Sequence, residues 1–328
     1  MSFNLLATFP ASLFIITLVN LTKNISSGVS STTFEAEKSF SFQGLYELTK
    51  PRLSLLSVFT ASLGFLVHDP LRSDFLLFTA LTIGTAFAAG GAAALNQWME
   101  RKEDALMTRT VSRPLPSKLI SPEFALGFGI FLSGLGLLTL WLWTNAWATL
   151  LTFSTLLIYL AVYTPLKKKS PLAIEIGAIA GALPPLIGWV VAAGSPTTYG
   201  LILFGILFAW QLPHFMAIAW NHRKDYTKGG FKFHQFNDPN GLKMGRKSFL
   251  YSIILTGFVF APYLVELNQP KPGLLYLLCS ILLSMYLLIP ALKFLVNAER
   301  DKHAKKLFVV TIIYLPILLA SLVIDRYL

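Results

Sequence analysis

Charge is scarce in this chain. Asp, Glu, Lys and Arg make up 13% of its 328 residues, about half the share usual in a soluble domain. Cysteine is scarcer still. Cys279 stands alone, so no disulfide forms within the chain and no redox compartment is indicated. Its apolar surroundings make it a small core residue rather than a reactive thiol. Processing signals are missing too. Residues 3–21 are apolar, but no basic residue precedes them and no arginine-rich stretch follows. Neither a secretory nor an organelle-import leader is expected, and residues 1–45 are read as a variable extension lying at the membrane interface, the alternative being an extra span.

What the chain has is apolar length. Hydrophobic types reach 54%, gathered in nine runs near 53–68, 75–95, 122–143, 146–164, 172–193, 199–220, 249–267, 273–294 and 307–325. Each approaches the ~20 residues that a membrane-crossing helix needs. Gly90-Gly91, Pro184-Pro185 and Pro213 fall inside such runs. Spanning helices tolerate them because neighbouring helices satisfy the freed backbone groups. The expected fold is all-α: a polytopic bundle of about nine transmembrane helices filling residues 46–328, with the lipid bilayer as its solvent.

The formal net charge of +11 is a topology signal. With nine spans and a cytoplasmic N-terminus, every Lys and Arg except Arg72, Lys271 and Arg326 falls on the cytoplasmic side. That segregation is the positive-inside pattern. It accounts for the basic balance with no nucleic-acid partner.

Chemistry is expected where polar residues crowd a helix end. Asn96, Glu100 and Asp104 are spaced four apart. On a helix they step about 6 Å along the axis and drift only about 40° around it, so all three oxygens line one stripe. Two carboxylates and an amide at a membrane mouth suit Mg²⁺, which takes its remaining ligands from water and substrate phosphates. The plainer alternative is a solvated helix end with Arg101 and Lys102 balancing Glu103. Carboxylates close to hydrocarbon are costly and weigh against it. Arg109 and Arg113 follow closely, and guanidinium forks match phosphate oxygens. Acids for a metal beside arginines for phosphate describe a diphosphate site. Lys167 closes the loop between the fourth and fifth runs, where Lys168 and Lys169 read as topogenic charge. In the sixth run His214 sits beside Pro213, near Gln211, and reads equally as a satisfied core histidine or as lining a cavity. His222 and His234 receive no role.

The run from Asn96 to Leu115, N-x3-E-x3-D-x2-M-x-R-T-x2-R-P-L, resembles the first acidic motif of the haem farnesyltransferases, a branch of the UbiA-type intramembrane prenyltransferases. Thr49-Lys50-Pro51-Arg52 resembles that family's T-K-P-R lead into its first helix. Tyr163-Thr164-Pro165-Leu166-Lys167, with Pro184-Pro185 and Gly188-Trp189, resembles its Y-T-P-L-K…P-P…G-W stretch. Trp210-Gln211-Leu212-Pro213-His214-Phe215, with Asp225-Tyr226 and Gly229-Gly230, resembles W-x-x-P-H-F…D-Y-x-x-[AG]-G. The likeness covers about residues 45–325. Two departures stand out. Glu100 occupies a position where many bacterial members carry Asp and mitochondrial ones Glu. Asp225 alone stands where the wider superfamily has a second D-x3-D.

The resemblance implies transfer of a farnesyl group from farnesyl diphosphate to the 2-vinyl group of haem b, giving haem O. It implies Mg²⁺ held by Asn96, Glu100, Asp104 and Asp225, and a diphosphate met by Lys50, Arg52, Arg109, Arg113 and Lys167. It also implies a haem and prenyl pocket drawn from His214, Tyr163, Trp210, Phe215 and Tyr226, with His214 as iron ligand or propionate contact. The setting it implies is a bacterial inner membrane, the alternative being the mitochondrial inner membrane. A haem A synthase or a terminal oxidase in assembly is the further partner it suggests. Three other readings remain: the same chemistry on another acceptor, such as an aromatic acid or a chlorophyllide; a nine-helix transporter; and a non-catalytic haem-handling scaffold.

Overall fold

The structure, a computed structural model, describes residues 42–68, 74–232, 238–265, 269–296 and 299–328. Most of the expected extension, and His234 and Arg72, lie outside these residues.

A short helix α1 (Phe42–Leu48) leads into α2 (Pro51–His68) and α3 (Phe75–Asp104). Then come α4 (Pro122–Trp143) and α5 (Ala146–Leu166), whose end winds through a π-turn at Ile158–Tyr163. α6 (Ala173–Ala193), α7 (Thr198–Asn221) and the short α8 (Arg223–Lys228) follow. The chain closes with α9 (Leu242–Leu264), α10 (Leu274–Val296) and α11 (Arg300–Ile324). Among the described residues nine helices, all but α1 and α8, are long and apolar enough to cross a membrane.

Three helices outrun their apolar stretches. α3 continues from the expected end near 95 to Asp104, α9 begins at Leu242 rather than 249, and α11 at Arg300 rather than 307. Hydropathy marks only the part of a helix that meets hydrocarbon. The intrahelical hydrogen bonds continue wherever side chains or solvent serve the ends. At the end of α3, Thr110 donates from Oγ1 to the Asp104 carbonyl at 2.8 Å.

Consecutive spans pack side by side. α6 and α7 are the most buried, flanked by α2, α5, α9 and α11. Between α2 and α6 the backbones nearly touch. A Cβ on Gly188 would lie 1.7 Å from the Ala61 carbonyl oxygen, and one on Gly64 would lie 2.1 Å from that of Pro185. Lipid tails give helices no hydrophobic reason to associate, so close backbone approach at small residues supplies the packing. Pro184 and Pro185, inside α6, sit at this contact.

Candidate active site at the mouth of the bundle

The extension of α3 carries the candidate residues. Asn96, Glu100 and Asp104 share one face of its last turns and are 1%, 3% and 1% exposed. Buried carboxylates require partners, and each is met by a cation from a different part of the chain. Lys167 Nζ, just after α5, donates to Glu100 Oε1 at 2.7 Å. Arg113 Nη1 donates to both Asp104 oxygens at 2.8 and 2.7 Å. Lys50 Nζ donates to Asn96 Oδ1 at 2.9 Å. Glu103, one residue off the stripe, pairs with Lys168. Lys168 is thus more than topogenic, and the alternative in which Arg101 balances Glu103 is replaced. Arg101 instead stacks on Trp98, 5.1 Å from its ring centre, and donates to the Trp98 carbonyl.

Lys50 is held awkwardly. Its φ is +44°, in the left-handed region that side chains with a Cβ avoid. Its hydrogen-bond partner in the cluster is a neutral amide oxygen rather than a carboxylate. Burial, reinforced by the charge of Arg113, pushes its pKa down to about 7. At Lys167 burial also works against the charge, but the oxygens of Tyr163 and the Glu100 carboxylate outweigh it, and the ammonium is held above the usual lysine range. Lys167 and Arg113 match the two carboxylates of the stripe, and Lys50, when protonated, adds one charge beyond them. The surplus favours an anion at the mouth.

The loops that bring these cations lock together. Arg109 Nη2 donates to the Tyr226 hydroxyl at 3.3 Å, with its guanidinium 5.4 Å from the centre of that ring. The Lys232 amide donates to the Lys167 carbonyl at 2.7 Å. Lys167 Nζ lies 4.5 Å from the Tyr163 ring centre and 5.7 Å from that of Phe231. Gln97 Nε2 holds the last carbonyls of α1, those of Glu47 and Leu48, at 3.1 and 2.9 Å. This fixes the approach of Lys50. Asp225 is half-buried on α8, beside Tyr226. Among the described residues no three His, Cys, Asp or Glu side chains form a metal-binding group, so the four-ligand set is not assembled around Asp225. Arg52 is exposed on the first turn of α2.

The expected acceptor pocket divides in two. Tyr163 and Tyr226 belong to the cationic cluster. His214, Trp210 and Phe215 lie where α7 meets α11. There the His214 ring stacks on Trp210 at 5.0 Å and on Phe308 at 5.2 Å, and Phe215 is exposed. His214 Nδ1 is 2.8 Å from Thr311 Oγ1. That hydroxyl donates its one proton to the Phe308 carbonyl at 2.7 Å, so it can only accept from the histidine. The ring therefore carries a proton on Nδ1. Gln211, expected to help line a cavity, instead bonds the α6 and α7 backbone at the Ala178 and Leu207 carbonyls.

Residues 57–313 match the UbiA prenyltransferase family. The chain belongs to that family. Among its curated UbiA relatives, the protoheme IX farnesyltransferase of Opitutus terrae is 42% identical over 285 residues, which are 87% of this chain and 95% of the relative. The protein of the same name from Solibacter usitatus is 37% identical over 290 residues, 85% of this chain and 97% of the relative. Solved structures share the fold. A digeranylgeranylglyceryl phosphate synthase superposes with a TM-score of 0.73 at 19% identity, covering 87% of this chain and 98% of that one. A UbiA homologue from Archaeoglobus fulgidus bound to GPP and Mg²⁺ gives 0.59 at 14% identity, covering 85% and 99%. The chain is a multi-pass membrane protein with bacterial relatives. The mitochondrial alternative, raised by Glu100, finds no support among them.

Proposed function

We propose that this chain transfers the farnesyl group of farnesyl diphosphate to the 2-vinyl group of haem b, giving haem O, at the cytoplasmic face of a bacterial inner membrane. The observation that carries the reading is the buried stripe of Asn96, Glu100 and Asp104 faced by three basic side chains. It lies in a chain whose relatives share the farnesyltransferase name.

The stripe's chemistry fits a divalent cation. Two carboxylates and an amide oxygen are what Mg²⁺ takes from protein before phosphate and water complete its shell. Asn96, Glu100 and Asp104 would hold it, without Asp225. When bound, it supplies Lewis-acid stabilisation of the charge on the departing diphosphate. Lys50, Lys167 and Arg113 turn from the stripe to the diphosphate oxygens, with Arg109 beside them and Arg52 at the rim. Their charges favour the leaving group as its negative charge grows. The farnesyl cation left behind needs a site closed to water. The Tyr163 ring, already holding the Lys167 ammonium, presents a π-face to positive charge. The terminal carbon of the haem vinyl group attacks the cation and forms the new C–C bond. The resulting cation next to the porphyrin is captured by water, which leaves a hydroxyl and releases a proton. His214 meets haem through Nε2, the ring held by Thr311. Haem O then passes to a haem A synthase or a terminal oxidase in assembly.

Mass spectrometry of haem extracted from cells expressing the protein tests this reading. The expected product carries a hydroxyethylfarnesyl group, and Asp104→Ala cells should yield only haem b with the protein still in the membrane. Unmodified haem from cells expressing the unaltered chain, or full conversion by Asp104→Ala, overturns it.

A further inference from the structure

Asn96 is an unusual ligand to offer a metal. An amide end has an oxygen that binds a cation and a nitrogen that repels one, and the two differ by a half-turn of the side chain. The structure shows what decides between them. The Asn96 nitrogen donates to Thr164 Oγ1 at 3.2 Å, and both residues are buried, at 1% and 2% exposed. Thr164 closes the π-turn of α5. Its hydroxyl donates to the Tyr159 carbonyl at 2.8 Å, the same carbonyl that receives the Thr164 backbone N–H. A carbonyl only accepts, so the hydroxyl proton is committed there. The oxygen is left to accept, and only the NH₂ end of Asn96 can satisfy it.

We propose that Thr164 is a positioning residue for the prenyl transfer: through the π-turn it holds Asn96 with the amide oxygen facing the mouth. In the ligand-free chain Lys50 favours the same orientation, its Nζ lying 2.9 Å from the amide oxygen. That help ends when Lys50 turns to the diphosphate. Thr164 stays, being tied to the backbone of its own helix. The π-turn is the means. Its extra residue per turn places the Tyr159 carbonyl under the hydroxyl and sets Thr164 opposite Asn96. Such outer partners usually matter about 10–100-fold for metal affinity. The inference rests on the metal reading of the stripe.

The test is Mn²⁺ binding followed by electron paramagnetic resonance, on purified full-length enzyme with an unreactive thiodiphosphate analogue of farnesyl diphosphate. Thr164→Val should weaken Mn²⁺ binding about 10–100-fold and raise the metal concentration for half-maximal turnover, with KM for haem b unchanged. Thr164→Ser, which keeps the hydroxyl, should restore both. Thr164→Ala removes the hydroxyl with less disturbance and should match Val, which keeps the test open if Val fails to fold. Wild-type Mn²⁺ affinity in the Val or Ala variant overturns the proposal. So does a Ser variant as impaired as Val, since the methyl group would then be the cause. If the unaltered enzyme binds no Mn²⁺, the metal reading itself fails and this inference goes with it.

Discussion

At the scale of single residues, the site has given up stability for reach. Lys50 sits at φ +44° directly before Pro51, with its ammonium turned inward to an amide oxygen. Strain of this kind persists where the surrounding structure imposes it. Glycine adopts that conformation freely, which reverses the usual order of substitutions. Lys50→Ala and Lys50→Gly lose the same side-chain contact and differ only in tolerance of φ. The Gly variant should be the more stable by about 1 kcal/mol, read as the difference in thermal midpoints in one detergent, and both should turn over poorly. An Ala variant that melts at or above the Gly variant would show that the backbone there is unstrained.

Helices, one scale up, meet by backbone contact rather than by apolar burial. The α2–α6 contact depends on Gly64 and Gly188, where any Cβ would enter a carbonyl oxygen of the facing helix. A backbone atom cannot swing aside, so the helices must part. Gly188→Ala should cost at least about 1–3 kcal/mol. Gly134, on α4, has nothing within 4 Å of the place a Cβ would take. Gly134→Ala should be neutral, or stabilising by about 0.5–1 kcal/mol through helix propensity. Thermal melts of the two variants side by side check this, and equal melts would mean that α2 and α6 are free to separate. Elements are also where hydropathy falls short. The nine spans are legible as apolar runs, but the polar last turns of α3 are not, because hydropathy ends where the lipid does. Those turns carry Glu100 and Asp104.

For the whole molecule, the charges form one account. Each stripe carboxylate already has a cation, and each cation comes from a separate segment, at 113 and 167. A metal ion arriving alone would take the carboxylates and leave Lys167 and Arg113 without counter-charges in a largely buried site, an expensive state. A metal arriving with a diphosphate supplies a partner for both. Metal and diphosphate should therefore bind cooperatively. Mn²⁺ affinity is expected to rise at least about tenfold when an unreactive prenyl diphosphate is present, and the diphosphate affinity should rise by the same factor with Mn²⁺. Equal Mn²⁺ affinities with and without the diphosphate would mean that the ion pairs do not oppose the metal.

The amino-acid order alone determined the membrane bundle, its spans, and the stripe of Asn96, Glu100 and Asp104. Those features rest on local periods: apolar length set by bilayer thickness, and four-residue spacing set by the helix. Tertiary structure alone decided which cation faces which acid, that Lys168 joins Glu103, that Thr164 orients Asn96, and that His214 packs with Thr311 apart from the tyrosines of the mouth. These pairs lie 9 to 97 residues apart. Contacts at such separations are chosen by how the helices pack, and no local period records that choice.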